Sequence, residues 1–531
     1  MHQLSPKRVI PLTVLGFVLA LSVVATPAQA LPTPADLCDR PNNTHSRLMQ
    51  CVRLENVREH QAAFQEFADN NDDEFYPGTR AAGTQGYQDS VDYVAGLLED
   101  AGYSVTLDEF EFQFTFPAVL EQLTPVDADY ETGAFTGSGA GDVTGPVIPV
   151  DINLEGDRAS TSGCEAADFT GLNFTGPNDI ALIQRGTCTF GVKAENAEAA
   201  GAEAVIIFNQ GNDPTRMDLI VGTLEPSVVT IPVVGASFDQ GVALAQPGST
   251  AHILVIPSET RTDVNVIAEK TGKKNPNNVV MSGAHLDSVT EGPGIQDNGS
   301  GSAALLETAL QMDKMTTPNT MRFAWWGAEE LGLVGSTAYV EGLPQAELDK
   351  IAMYMNYDMV GSPNYIFMVY DADQSSFEAP VVVPPGSEAI EDVYESFYTR
   401  EGEPYDDSAF SGRSDYQAFI EAGIPSGGLF TGAETVKTEE QAAIWGGTAG
   451  AQFDPCYHQA CDTFENVDLH ALDVNSDLIA YAQLEFAYST ESINGVVGAR
   501  VPFSRPLPPP AGEEGTFVEG DGGQGPGPVG S

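Results

Sequence analysis

Three apolar runs, Val279–Ala284, Met321–Gly327 and Ile351–Tyr357, each stop at polar residues. His285-Leu286-Asp287 follows the first, Glu329-Glu330 the second and Asp358 the third. Short continuous apolar runs of this kind predict strands buried on both faces of a sheet. Between the first two, Ser302–Met312 has the spacing and length of a helix. A strand–helix–strand unit with charged groups at its carboxyl ends is where open α/β sheets place their sites. Val266–Ala268 and Tyr365–Tyr370 extend the set of expected strands, and Leu331–Val340, Glu388–Tyr398, Ser414–Ala422 and Asn475–Thr490 the set of helices. Nearer the start, Val52–Asn70 has helical character. Gln85–Ala101 repeats Val91, Val94, Leu97 and Leu98 at helical spacing before Gly102, and Tyr103–Phe114 alternates as a strand.

The pattern changes near residue 125. Residues 126–262 are rich in Gly, Thr, Val and Asp, with strands expected at Asn178–Gln184 and Ala204–Asn209 around a Lys193–Ala200 helix. His252 is the one histidine there; with no acidic neighbour in sequence, it is expected to be structural. The division expected is a discontinuous α/β domain over 31–125 and 263–495, an insert over 126–262, and a Pro/Gly-rich disordered tail over 496–531. Residues 1–30 read as an export signal: Lys7 and Arg8, an apolar core over Leu12–Ala25, then Ala28-Gln29-Ala30. Elsewhere no stretch reaches the roughly 18 apolar residues of a membrane span, so the mature chain is expected to be secreted, without a membrane partner.

The polar strand ends suit metal chemistry. His285, Asp297, Glu330, Asp358 and His458 offer two imidazoles and three carboxylates, a donor set suited to zinc, and the paired CxxC spacing of a zinc thiolate site is absent. Asp297 lies among Gly292, Gly294, Gly299 and Gly301, where the backbone can turn sharply. A lone His-x-Asp is weak, and an adjacent acid pair at a helix start is ordinarily surface charge. Together, at strand ends, they fit two divalent ions sharing one carboxylate. Glu329 is then left as general base, and Asp287 would hold the second nitrogen of His285. Cys456 and Cys461 bracket Tyr457 and His458 and would frame them if joined.

The chain has 531 residues with 23 Lys+Arg against 76 Asp+Glu, a formal charge of −53. That balance argues against nucleic acid and anionic membranes as partners. Six cysteines in an exported chain point to disulfides, with about 15 connectivities open. Nearness along the chain favours Cys38–Cys51, Cys164–Cys188 and Cys456–Cys461.

Seven stretches in order, HLDS, GIQDNGSGSAALLETA, RFAWWGAEELGLVGS, YMNYDMVGSPN, GRSDYQAF, GGLFTGAE and FDPCYHQACDT, resemble the secreted co-catalytic zinc aminopeptidases of the M28 family, of the Streptomyces leucine aminopeptidase type. The agreement is dense over 265–490 and weak over 52–120. The resemblance implies a mixed-sheet, phosphorylase/hydrolase-like α/β domain with helices on both faces. It also implies two Zn2+ per chain at His285, Asp297 (bridging), Glu330, Asp358 and His458. By the same likeness Glu329 is the base, Tyr457 with Arg413 beside it serves the oxyanion, Glu329 and Asp358 receive the free amine, and Phe430 borders an apolar pocket. A cis peptide is implied at Asp297–Asn298, and a Ca2+ pair at Asp473 and Asp477. The chain departs from the family at Tyr416, where a histidine is usual. GCEAADF and NDIALIQRGTCTFGVKAENAEAAGAEAVIIFN resemble a mainly-β (α+β) protease-associated (PA) domain, which implies a Cys164–Cys188 disulfide and a role in covering the cleft.

The expected activity is removal of large apolar residues such as Leu from peptide or protein N-termini by a monomeric enzyme. A carboxypeptidase or dipeptidase on the same scaffold would need cations for a terminal carboxylate, and only Arg413 is evident. A receptor-like binding protein would be expected to have lost a ligand position, and none is lost. A single-zinc glutaminyl cyclase type would not need both the Asp297 bridge and a second His–Asp pair.

Overall fold

The computed structural model describes residues 38–511; the expected export signal and the tail from residue 512 lie outside the described residues. The chain divides after Arg40 into two units, and the second, from Pro41, contains the strands. In chain order these are β1 (Ser104–Phe114), β2 (Val119–Thr124), β3 (Ala128–Tyr130), β4 (Gly141–Val150), β5 (Ile180–Gln184), β6 (Ala204–Phe208), β7 (Val233–Ala236) and β8 (Thr250–Val255). They continue as β9 (Glu259–Lys270), β10 (Asn275–His285), β11 (Asn319–Trp326), β12 (Ile351–Tyr357), β13 (Met368–Tyr370), β14 (Asp406–Ser408) and β15 (Ser426–Phe430).

Eight strands make the first sheet, in the order β1-β9-β11-β10-β12-β15-β13-β14. Its centre, β11-β10-β12-β15, is parallel, and β9 and β1 continue it antiparallel at one edge. The three apolar runs are the parallel centre, and consecutive residues serve opposite faces. Val280 and Ala284 join a core with Leu305, Leu306 and Leu484, while Val279 and Met281 join another with Tyr339 and Phe419. Both faces are covered, which is why these strands read as continuous rather than alternating. The helix after β10 begins earlier than its apolar spacing indicates, at Gly299, because the Asn298 side chain accepts from Gly301 N and caps it. The helix expected from Leu331 starts only at Val334. Glu329 and Glu330 therefore sit in the turn after β11, between Ala328 (φ 53°) and Leu333 (φ 61°).

The second sheet has seven strands in the order β3-β2-β8-β4-β5-β6-β7. Here too neighbours face opposite cores: Leu182 and Ile206 in one, Ile183 and Ile207 in the other. The helix Phe190–Ala200 joins β5 to β6 and ends at Gly201, whose φ of 101° closes it. The boundaries at 126 and 262 need correction. β2 pairs with β8 inside the second sheet, while Glu259 pairs with Phe114 inside the first. The insert thus begins before Val119 and ends before Glu259. Composition misses this because the Val-Leu-Glu-Gln-Leu-Thr of β2 looks like any half-buried strand. The tail also starts later than 496. Residues 496–511 hold no helix or strand, yet Val501 is buried and Lys274 Nζ donates to Val497 O and Gly498 O.

His252 does have acidic partners, brought from distant strands. Nδ1 lies 3.0 Å from Glu121 of β2 and Nε2 3.0 Å from Asp142 of β4. Partial burial lowers its pKa, but the two carboxylates raise it more, so the net shift is upward. A raised folded-state pKa contributes stability that is fully present below the unfolded value and lost as pH rises through the folded one. His252→Gln should therefore lower the melting temperature at about pH 5 and have little effect at about pH 9. Equal losses at both pH values, read by thermal denaturation, would refute the ion-pair origin.

Candidate metal centre

The parallel strands deliver the acids and imidazoles to one end of the first sheet. His285 closes β10, Glu329 and Glu330 follow β11, and Asp358 follows β12. Asp297 comes from the loop after β10, and His458 from the loop closed by the Cys456–Cys461 disulfide. Both imidazoles converge on Asp297, one on each oxygen. His285 Nε2 lies 3.2 Å from Oδ1 and His458 Nε2 3.3 Å from Oδ2. Asp358 Oδ1 is 3.3 Å from His285 Nε2, and Glu330 Oε2 is 3.1 Å from His458 Nε2. The side chains thus divide into two sets, His285/Asp358 and His458/Glu330, with Asp297 common to both. Ligand atoms of His285, Glu329 and Asp358 also fall within 4.8 Å of one another.

This cluster is buried: Asp297, Glu329, Glu330 and Asp358 are all under 8 % exposed. Both carboxylate oxygens of Glu329 lack a hydrogen-bond partner among the described residues. Burial, then Glu330 and Asp358, raises the Glu329 pKa despite His285, and burial with Asp297 pushes Glu330 up to about 7. The His285 pKa also rises: burial lowers it, but Asp358 and Glu329 raise it well above the usual value. Each shift reports the same imbalance, an excess of buried anions that favours any added positive charge. Divalent cations among these nitrogen and oxygen donors would meet it, and would return the carboxylates to their ionised forms.

A further layer of groups fixes the cluster. Asp287 accepts from Glu329 N (3.2 Å) through Oδ1 and from Glu330 N (3.3 Å) through Oδ2, and its Oδ1 lies 3.6 Å from His285 Nδ1. Asp462 accepts from Gln296 N and Asp297 N, both at 2.9 Å, beside the cis Asp297–Asn298 peptide. Asp358 accepts from Ser414 Oγ (2.6 Å), which accepts from Asn356 Nδ2 (2.7 Å). That chain continues through Tyr354 to Trp326. Arg80 is fully buried under the loop between His285 and Asp297. Its guanidinium donates to the carbonyls of Leu286, Pro293 (3.0 Å) and Gly294 (2.6 Å). Gly294 has φ 61°, and a Cβ there would lie 2.5 Å from Ser288 Cβ, so this turn requires glycine. Sequence reasoning missed Asp462, Ser414 and Arg80. Asp462 stands near the end of the FDPCYHQACDT stretch and Ser414 lies in GRSDYQAF; the one sequence signal for Arg80 is that it is the sole base in the acid-rich residues 69–92.

Tyr457 stacks on His458 at a centroid separation of 3.8 Å, and its hydroxyl has no hydrogen-bond partner among the described residues. Burial first, then Asp297, Glu330 and Glu434, pushes its pKa upward, so it remains a proton donor. Arg413 Nη1 is 2.9 Å from Glu434 Oε1, so its charge is already opposed by a carboxylate. Phe430 is buried with Met359, Phe453 and the flank of Tyr457. Tyr416 fills the place after Asp415 by packing against Tyr370 and Phe410, and its hydroxyl accepts from Gly412 N. A cleft of about 270 Å³ opens over Asp287, Glu330 and His458, walled by Tyr76, Phe114 and Leu331. Asp473 and Asp477 lie one turn apart on the Leu469–Tyr488 helix, away from this set. The charges of His470 and Glu55 reach Asp473, and that of Glu401 reaches Asp477.

Arg80→Leu would leave three buried carbonyls without their donor. It should cost about 3 kcal/mol or more in the urea-unfolding free energy, and Arg80→Lys should recover part of that loss. An unchanged unfolding midpoint for Arg80→Leu would show that the loop does not depend on the guanidinium.

Comparison with known proteins gives the same outline. Residues 265–483 match the model of peptidase family M28, and residues 143–244 match the PA domain. The chain is 46% identical over 480 residues to an aminopeptidase of Pseudomonas aeruginosa, covering 88% of this chain and 87% of that one. It is 37% identical to leucine aminopeptidase 2 of Trichophyton equinum, covering 85% of this chain and 87% of the relative. Among solved structures, a zinc aminopeptidase from Bacillus subtilis superposes with a TM-score of 0.58 at 26% identity, over 81% of this chain and 94% of that chain. With the parallel sheet, the buried acids and imidazoles at its end and likeness along nearly the whole chain, the protein belongs to peptidase family M28 and carries an inserted PA domain.

Proposed function

We propose that the chain is an exported two-zinc aminopeptidase that releases large apolar residues, such as leucine, from peptide N-termini. One observation carries the reading: the two oxygens of Asp297 each face a different imidazole, with the Glu329 carboxylate buried beside them and without a hydrogen-bond partner among the described residues. His285 and Asp358 would hold one ion, His458 and Glu330 the other, and Asp297 both. When bound, zinc supplies Lewis acidity that polarises the scissile carbonyl and makes water more acidic. Glu329 takes the proton of the attacking water and passes it to the leaving amine; its buried setting supports that role. Tyr457 Oη, a buried donor with an open position, hydrogen-bonds the oxygen on which negative charge develops. Glu329 and Asp358 receive the substrate ammonium. The apolar group around Phe430, continuous with Tyr457, receives the first side chain.

A carboxypeptidase would need an available cation for the terminal carboxylate, and the pairing of Arg413 with Glu434 speaks against it. Export is supported by the disulfides Cys164–Cys188 and Cys456–Cys461; Cys38 and Cys51 are also disulfide-bonded. No helix among the described residues is long and apolar enough to cross a membrane.

Hydrolysis of leucine p-nitroanilide should disappear with a chelator and return with zinc; activity that persists in metal-free protein would end this reading. Glu329→Ala should lower kcat by about 10²–10⁴-fold with two zinc ions per chain retained by metal analysis. Tyr457→Phe should lower kcat by about 10²–10³-fold with a smaller change in KM. A change in KM alone would place Tyr457 in substrate binding instead.

A further inference from the structure

The PA domain has its own pocket, of about 390 Å³, lined by Arg185, Phe190, Arg216, Ile220, Val221 and Thr223 among others. Its charge runs against the rest of the chain. Between residues 141 and 255 the only Lys or Arg side chains are Arg158, Arg185, Lys193 and Arg216, and two of these four meet here. Among the described residues Arg185 Nη1 donates to Asn209 Oδ1 at 3.4 Å and Arg216 Nη1 to Gln210 Oε1 at 2.8 Å, both neutral amides, and neither arginine forms an ion pair. Asp213, whose charge acts on Arg216, is fully exposed, and its Oδ1 accepts from both the backbone N and the hydroxyl of Thr215. The pKa of Arg185 is lowered, first by burial and then by the charge of Arg216, so the two guanidiniums repel each other. Like charges held together without a counter-ion are unfavourable unless an anion joins them.

Two more features give the pocket a direction. The eleven-residue helix Phe190–Ala200 starts at its wall, and Thr189 gives that helix no side-chain cap. Its first-turn N–H groups and the positive end of its dipole add to the two guanidiniums. Glu225 stands exposed at the rim. Ile220, Val221 and Phe190 give the same pocket apolar surface, with the Phe190 ring centroid 6.0 Å from the Arg185 guanidinium. A carboxylate at one end and an apolar side chain at the other is the chemistry of a peptide C-terminus.

We propose that this pocket binds the C-terminal carboxylate of a peptide whose last side chain is apolar, with Arg185 and Arg216 gripping the carboxylate and Ile220 and Val221 the side chain. The site is separate from the metal centre and would hold the end of a peptide that an exopeptidase acting on N-termini does not touch. Peptides, rather than other organic anions, are the class favoured by family membership.

The test uses the full chain and N-acetyl-Ala-Ala-Leu, which lacks a free amine, beside its C-terminal amide. By calorimetry the acid should bind about tenfold or more tightly than the amide, and Arg185→Gln or Arg216→Gln should each weaken the acid about 10–100-fold, as expected for a charge-assisted bond. Leucine p-nitroanilide hydrolysis should be unchanged in both variants. Equal affinity for acid and amide, or a preference that survives both substitutions, overturns the proposal. Inorganic phosphate binding as tightly as the acid also overturns it, by showing an ion site without peptide chemistry. If either arginine variant fails to fold by circular dichroism, Thr223→Glu decides. It keeps both arginines and sets a carboxylate in the pocket, so the acid preference should vanish; its survival refutes the assignment. Loss of leucine p-nitroanilide hydrolysis in the unaltered chain would count against the aminopeptidase reading and leave this pocket's test intact.

Discussion

Four carboxylates, Asp297, Glu329, Glu330 and Asp358, are packed out of water at one end of a parallel sheet with two imidazoles and one deeply buried guanidinium nearby. Desolvated like charges repel strongly, and no apolar packing offsets that by itself. Much of the surrounding architecture answers this constraint. Asp287 ties the turn after β11 to the end of β10 through two backbone amides. Asp462 fixes Asp297 through its own amide. Arg80 directs its hydrogen bonds to carbonyls of the loop that carries Asp297, placing a positive charge beneath the acids without neutralising any one of them. Burial lowers its pKa to about 10 although Asp287, Asp462 and Asp297 oppose that, so it stays charged.

The order of elements explains why such a cluster forms at all. Strands β10, β11 and β12 run parallel, so their carboxyl ends lie together even though the residues are dozens of positions apart in sequence. The polar chain from Asp358 through Ser414, Asn356 and Tyr354 to Trp326 crosses the sheet and joins two of these strands to the Tyr416–Glu421 helix region.

The parallel strands and the polar residues at their ends were legible because burial on both faces leaves an unmistakable run of apolar residues that stops abruptly. The starts of the helices were not. Gly299, Ser300 and Gly301 are poor helix formers on propensity, and only the Asn298 cap and the packing around them make them helical. Likewise nothing periodic marks Arg80 or Asp462, whose importance lies in contacts more than 150 residues away in sequence. His252 shows the same limit: its acidic partners come from strands 131 and 110 residues distant, and no local window contains them. The insert's edge was misplaced for a related reason. Composition shifts where the loops begin, whereas domain membership is decided by which strand a segment bonds to, and β2 bonds to β8.

That last pairing has a structural corollary. β1 and β9 are antiparallel neighbours over the whole of β1, and Phe114, where the chain departs for the second sheet, lies opposite Glu259, where it comes back. Topologically the two are the arms of one hairpin whose turn has been replaced by an entire folded module. Closing that ring demands little entropy because the module brings its own ends together as it folds. The pairing of β1 with β9 thus asks of the module that its two termini stay side by side.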